Sequence, residues 1–206
     1  MQNTLYIVDD HSMVRNGLVS WLKENTNWQI TGNFSGAKEC LATLEKSTTE
    51  NYPEILIIDI QLVDETGFTL LQTITSKYPT IKCLMYSMYD TAGYILQAKD
   101  AGAKGYISKV SSEQELVKAL QIIQGGGTYI EPRFESVQKK LEPITSVLTR
   151  QERLVFEKLL QGKTNDQIKD ELFISAHSVA NYVSYIYNLA EVHNRNEFME
   201  KFSAQN

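Results

Sequence analysis

Apolar and polar positions in the first part of the chain follow two alternating periods. Compact runs at Thr4–Val8, Gln29–Phe34, Ile55–Asp59, Lys82–Ser87 and Gly105–Ser108 have the length of strands. Ile55-Leu56-Ile57-Ile58 is apolar without alternation, the pattern of a strand covered on both faces. Between these runs, apolar positions three and four apart predict helices over Met13–Lys23, Ala37–Lys46, Thr66–Lys77, Tyr89–Ala101 and Glu113–Gln124. The last opens on Ser112-Glu113-Gln114-Glu115, a capping-box pattern that satisfies orphan backbone donors. Five strand–helix repeats imply right-handed crossovers and a doubly wound α/β domain on a five-stranded parallel sheet.

Gly125-Gly126-Gly127 stops the fifth helix, because three glycines hold a helical turn poorly. Beyond Thr128 the periodicity weakens, with Pro132, Pro143 and Lys139-Lys140, so 128–145 reads as a linker with some helix around Phe134–Leu141. The remainder is all helical. Thr149-Arg150-Gln151-Glu152 opens a helix through Leu160 that Gly162 ends, and Thr164-Asn165-Asp166-Gln167 opens a short one to Leu172. Phe173-Ile174-Ser175 makes a turn, a longer helix runs from about His177 to Glu191, and Asn194 caps a final short helix. A short helix, a tight turn and a longer helix form a helix-turn-helix. The expected domains are thus 1–127, a linker at 128–145, and a small all-α domain at 146–206.

Composition narrows this picture without redirecting it. No apolar run approaches membrane-spanning length, and Leu5 to Val8 ends at once in Asp9-Asp10, unlike a secretory signal, so a cytoplasmic protein with no membrane partner is expected. Cys40 and Cys83 lie in apolar-periodic segments without metal-ligand spacing, which predicts two buried, reduced thiols. The formal net charge of −5 gives no general affinity for nucleic acid.

The chemistry concentrates at strand ends, where ligands of such sheets gather. Asp9 and Asp10 follow the first strand and Asp59 ends the third, so adjacent first and third strands would bring three carboxylates to one pocket. Ser87 ends the fourth strand and Lys109 follows the fifth, adding a hydroxyl and a fixed positive charge. Carboxylates with a phosphate oxygen suit Mg²⁺, and phosphoryl transfer needs chiefly positioning and charge neutralisation. Neither domain shows a second nucleophile–base pair, so an enzyme with a substrate of its own is not expected.

The segment Val8-Asp9-Asp10-His11-Ser12-Met13-Val14-Arg15-Asn16-Gly17-Leu18 resembles the opening of receiver domains in the NarL/FixJ class of two-component response regulators. Ile57 through Leu62, Gly67, Ser87 and the run Ala101 through Lys109 match that class as well. The resemblance implies that Asp59 is the phosphoacceptor, with Asp10, Asp59 and the backbone carbonyl of Gln61 holding Mg²⁺ and Asp9 assisting through water. Lys109 would pair with the phosphoryl group, Ser87 would hydrogen-bond it, and Tyr106 would switch rotamer. His11 reads as a rim residue. Val63 stands where the class commonly has proline, and Met88 where it has a small residue beside the phosphosite, which predicts slower dephosphorylation.

The stretch from Leu148 to Asn165, with Ile168, Leu172, Ile174-Ser175, Ser178-Val179 and Val192-His193-Asn194-Arg195, resembles the LuxR-type helix-turn-helix. Val179, Val183, Ile186 and Ala190 form one apolar stripe of the longer helix. The opposite face would enter the DNA major groove, and the candidate contacts are Thr164, Asn165, Ser178, Ala180, Asn181, Tyr182, Ser184 and Asn188. Where the class usually carries basic residues, this chain has Asp166, Ala180, Tyr182, Ser184 and Asn188. From Ile144 to Asn206 seven Lys and Arg face eight Asp and Glu, a net of −1, whereas DNA-binding domains are normally basic. Two outputs follow. The leading one is a DNA-binding transcription regulator, phosphorylated by a sensor histidine kinase and dimeric when active. The alternative is a protein-interaction module, for which Tyr182, Tyr185 and Tyr187 would provide the surface.

Overall fold

A computed structural model describes residues 3–202, apart from the side chain of Ser136; positions 1–2 and 203–206 of the expected domains lie outside the described residues. The chain divides into two compact units, one running up to Tyr89 and including Ala98–Ile130, the other comprising Asp90–Gln97 and the chain from Glu131 onward.

The first unit is built on parallel strands β1 (Thr4–Val8), β2 (Gln29–Phe34), β3 (Ile55–Ile58), β4 (Lys82–Ser87), β5 (Gly105–Ser108) and β6 (Tyr129–Ile130) in the order β2-β1-β3-β4-β5-β6. The sheet has six strands rather than the expected five. The extra strand pairs Tyr129 with Gly105 and Ile130 with Tyr106, beside β5. Helices α1 (Ser12–Asn25), α2 (Ala37–Lys46), α3 (Gly67–Lys77), α4 (Ala92–Asp100) and α5 (Glu113–Gln124) connect the strands. Leu18 and Leu22 of α1 and Leu116, Leu120 and Ile123 of α5 pack with Leu5, Ile7, Ile55, Ile57, Leu84 and Ile107 of the sheet. The alternate residues Leu56, Ile58, Cys83 and Met85 are buried too, which explains why β3 shows no polar alternation.

The interval expected to link the domains carries β6 and α6 (Glu135–Thr145), the latter extending through Pro143 into its last turn. In the second unit, α6 contributes Val137, Leu141 and Ile144 to a core shared with α7 (Arg150–Leu160), α8 (Asn165–Leu172), α9 (Ala176–Leu189) and α10 (Arg195–Lys201). Thr149 and Thr164 form complete capping boxes with Glu152 and Gln167, so both helices begin where the sequence predicts. The stripe Val179, Val183, Ile186 and Ala190 is buried, and Phe156, Phe198 and Phe202 stack edge to face with centroids 5.0–5.8 Å apart. Phe173 closes α8 in the left-handed region at φ 54° with its ring 94% exposed. Both cysteines are buried and unpaired, and burial pushes the Cys40 thiol up to about 12 and Cys83 further in the same direction. No helix among the described residues is long and apolar enough to cross a membrane.

Candidate functional site

The register between β1 and β3 sets Val8 opposite Ile58, and the Asp59 N–H donates to the Val8 carbonyl at 2.9 Å. Asp9 and Asp59 therefore leave adjacent strands at the same level, and both are buried. Lys109, one residue past β5, is fixed by its N–H to the Ser87 carbonyl at 2.9 Å. Its ammonium reaches Asp59 Oδ2 at 2.6 Å and Asp9 Oδ2 at 2.8 Å while only 5% of its side chain is exposed. Breaking such a pair by deleting one partner strands buried charge and costs about 3–5 kcal/mol.

Asp10 completes the cluster. Its Oδ1 is buried and accepts no hydrogen bond, although His11 Nδ1 stands 2.7 Å away. Ligand atoms of Asp9, Asp10, His11 and Asp59 all lie within 4.8 Å of one another. Three carboxylates against one ammonium leave an excess of negative charge, and an unsatisfied carboxylate oxygen faces it; this donor set fits a divalent cation.

The loops around the pocket are tied down by specific contacts. Gly67, the first residue of α3, donates its N–H to the Ile60 carbonyl at 2.7 Å, and Gln61 and Thr66 form a backbone bridge. An added Cβ at Gly67 would lie 1.9 Å from the Asp59 carbonyl oxygen, so only glycine allows α3 to start this close to Asp59. Asp64 accepts the N–H groups of Ala37 and Lys38 at 3.0 and 2.8 Å and so caps α2 from the β3–α3 loop. Burial alone would raise its pKa, but those N–H bonds and the Lys38 charge hold it below the usual value. Arg15 of α1 donates to the Asp9 carbonyl. On the other side, the Ser87 hydroxyl accepts from Tyr89 N–H at 3.3 Å, and the buried Tyr106 hydroxyl donates to the Tyr89 carbonyl. Met88 is 62% exposed between them.

In the second unit the candidate DNA contacts gather at α8 and α9, and most are engaged locally. The Thr164 hydroxyl caps α8, the Asn165 side chain accepts from Arg195 at 3.0 Å, and Ser178 shares a hydrogen bond with Ser175 at 2.8 Å. Asn181 meets His177 at 3.2 Å. Ala180, Ser184 and Asn188 are exposed beside Asn181 along α9, while Tyr182 is partly buried against the core. Tyr187 packs there as well, which corrects the expectation of a three-tyrosine surface: Tyr185, 41% exposed, is the one that faces outward. No Asp, Glu, Lys or Arg occurs anywhere in α9. The nearby cations Lys158 and Lys163 are held by Glu171 at 2.6 and 2.9 Å. Burial opposes ionisation of Glu171, yet the two lysines keep its pKa below the usual range. The roles of Asp64 and Glu171, and the partner of Arg195, are not legible in the sequence, since the contacts join separate elements. Asp64 meets Ala37 and Lys38, 27 and 26 residues away, and Arg195 meets Asn165, 30 residues away. Glu171 meets Lys158 on the preceding helix and Lys163 in the loop between.

Residues 5–121 match the response regulator receiver domain family, and residues 146–202 match the bacterial regulatory proteins of the luxR family. The chain is 30% identical over 188 residues to the DNA-binding transcriptional activator DevR/DosR of Mycobacterium tuberculosis, covering 87% of this chain and 84% of that protein. It is 33% identical over 178 residues to the transcriptional regulatory protein UhpA of Escherichia coli, covering 85% of each. Among solved structures, RcsB from Salmonella enterica serovar Typhimurium, bound to promoter P1flhDC with the phosphomimetic BeF3−, superposes with a TM-score of 0.68. That likeness spans 100% of both chains at 19% identity and concerns the fold alone. The chain belongs to the response regulator family, as a receiver domain followed by a luxR-family domain.

Proposed function

We propose that this chain is a phosphorylation-controlled, DNA-binding transcription regulator in which Asp59 accepts the phosphoryl group. The buried Asp59 carboxylate, bracketed by Asp9, Asp10 and the Lys109 ammonium at the carboxyl ends of parallel strands, carries this reading. An Asp59 carboxylate oxygen attacks phosphorus, the bond to the imidazole nitrogen of a phosphohistidine donor breaks, and the released imidazole keeps the electron pair. A sensor histidine kinase is the donor. Lys109 holds Asp59 in place and meets the phosphoryl oxygens, and Ser87 supplies a hydroxyl to them. Tyr106, joined to the Tyr89 carbonyl, links β5 to the loop that follows Ser87. Asp10, Asp59 and the Gln61 carbonyl would hold Mg²⁺, with Asp9 assisting through water. When bound, the cation neutralises charge on the transferring phosphoryl group. The chain has no separate substrate and works in the cytoplasm.

The output is DNA binding by a dimer through the exposed side of α9, with Ala180, Asn181, Ser184 and Asn188 toward the bases and Thr164, Asn165, Ser178 and Tyr182 near the backbone. The relative DevR/DosR is described as a DNA-binding transcriptional activator, which supports this assignment. A second reading, docking of a protein partner on the same unit, is favoured by the lack of Asp, Glu, Lys and Arg in α9 and by the lysines bound to Glu171. Phosphorylation with acetyl phosphate, read on phosphate-affinity gels, should label wild type and spare Asp59→Ala. DNA pulldown of both proteins should then recover specific sites with wild type only, with affinity falling as salt rises. Labelling of Asp59→Ala would refute the phosphosite. No DNA binding by the phosphorylated chain at low salt would replace the first output with the second.

A further inference from the structure

We infer that His11 is a nitrogen ligand of the cation in the acidic pocket, and that it tilts the pocket toward first-row transition ions such as Co²⁺ relative to Mg²⁺. This rests on the reading of that pocket as a metal site. The imidazole Nδ1 stands 2.7 Å from Asp10 Oδ1, 3.5 Å from Asp9 Oδ1 and 3.8 Å from Asp59 Oδ2. Two donor atoms at right angles on an ion with bonds of about 2.1 Å lie roughly 3 Å apart, so these separations suit a shared cation.

The His11 side chain is 58% exposed at the rim of the pocket, and two further features aim its ring at the cluster. It occupies the N-cap of α1, yet its side chain makes no cap hydrogen bond. Serine, threonine, aspartate or asparagine there would stabilise the helix by about 1 kcal/mol, and this chain forgoes that while turning the ring toward the carboxylates. Its backbone N–H donates to Asp9 Oδ1 at 2.8 Å, which anchors the loop in that orientation. The 2.7 Å approach to Asp10 is the length of an ion pair, and the same nitrogen, lying within the cluster of Asp9, Asp10 and Asp59 oxygens, can serve instead as a metal ligand. Asp9 divides its oxygens accordingly, Oδ2 toward Lys109 and Oδ1 toward His11.

Imidazole favours cobalt, nickel, copper and zinc, whereas Mg²⁺ takes oxygen ligands and keeps its waters. The test is calorimetric titration of the full chain with Co²⁺ and with Mg²⁺, for wild type, His11→Ala and His11→Asn, alongside the visible spectrum of bound Co²⁺. Asparagine is a preferred N-cap residue, so the second variant keeps the start of α1 intact. Both variants should bind Co²⁺ at least tenfold more weakly, with an altered spectrum, and bind Mg²⁺ within twofold of wild type. Unchanged Co²⁺ affinity, or equal losses for both ions, would overturn the role of His11 and leave the acidic pocket standing. Failure of wild type to bind either ion would overturn this inference together with the reading it rests on.

Discussion

Replacing Gly67 by alanine tests how tightly the fold holds Asp59. The new methyl would sit 1.9 Å from the Asp59 carbonyl oxygen, 2.9 Å from its carbonyl carbon and 3.0 Å from Ile58 Cγ2. Ordinary contact begins at 3.4 Å, so strand and helix must separate by about 1.5 Å. Neither side yields easily. Ile58 is fully buried in a central strand, and α3 is anchored by Phe68, Leu70, Leu71 and Ile74 and capped by Thr66. Overpacking of this kind costs about 1–3 kcal/mol, and the upper end applies where backbone is the obstacle. For a chain of this size, about 3 kcal/mol lowers Tm by roughly 6–12 °C. Displacing a reactive group by about 1 Å costs on the order of a hundredfold in rate. Gly17 provides the control: it lies inside α1, and beyond the backbone of its own helix an added Cβ would meet nothing within 4 Å. Gly17→Ala should stabilise by about 1 kcal/mol and leave phosphorylation unchanged. Thermal unfolding and acetyl phosphate labelling of the two variants decide the matter. Gly67→Ala melting within 2 °C of wild type (roughly 1 kcal/mol or less) and labelling at the same rate would refute the argument.

Three other substitutions probe separate features. Asp64→Ala should remove about 1 kcal/mol at neutral pH, the worth of a helix cap. Because the Asp64 pKa is lowered in the fold, its contribution is present above the unfolded value and is lost as pH falls through the folded one. Denaturant melts should therefore show wild type and variant converging in acid, and a gap that persists there would contradict the cap. Phe173→Asn should stabilise the second unit by about 1 kcal/mol, since asparagine tolerates the left-handed region and the exposed ring loses little packing; a fall in Tm would show that the ring packs. Met88→Ala should shorten the lifetime of the phosphoryl group by opening the rim to water, and equal lifetimes measured on phosphate-affinity gels would remove Met88 from that role.

How much could be read from the sequence depended on whether the determining contact is local or distant. Continuous apolar runs reveal central parallel strands, because both faces are covered, and four of the five expected strands have the same ends in the structure; β3 stops one residue short of Asp59. Capping hydroxyls fixed the starts of α7 and α8 for the same reason, as both partners lie within one turn. β6 was invisible because two residues show no period and its pairing depends on β5. The start of α4 was placed at Tyr89 rather than Ala92, since nothing near it announces that Tyr106 takes the Tyr89 carbonyl. At the pocket, strand-end positions identified Asp9, Asp10, Asp59, Ser87 and Lys109 as neighbours. The turn of the His11 ring toward them depends on the path of one loop, which a residue pattern does not encode.

The two-residue strand β6 has a practical consequence for anyone dissecting the protein. Tyr129 and Ile130 cover the backbone of Gly105 and Tyr106, and Tyr129 N–H reaches the Lys104 carbonyl at 2.8 Å. A fragment ended at the triple glycine would leave that margin of the sheet bare, a template for pairing with other molecules. One ended after Ile130 keeps it closed. The shorter fragment should aggregate on storage while the longer stays monodisperse, so three residues decide whether the input half can be handled alone.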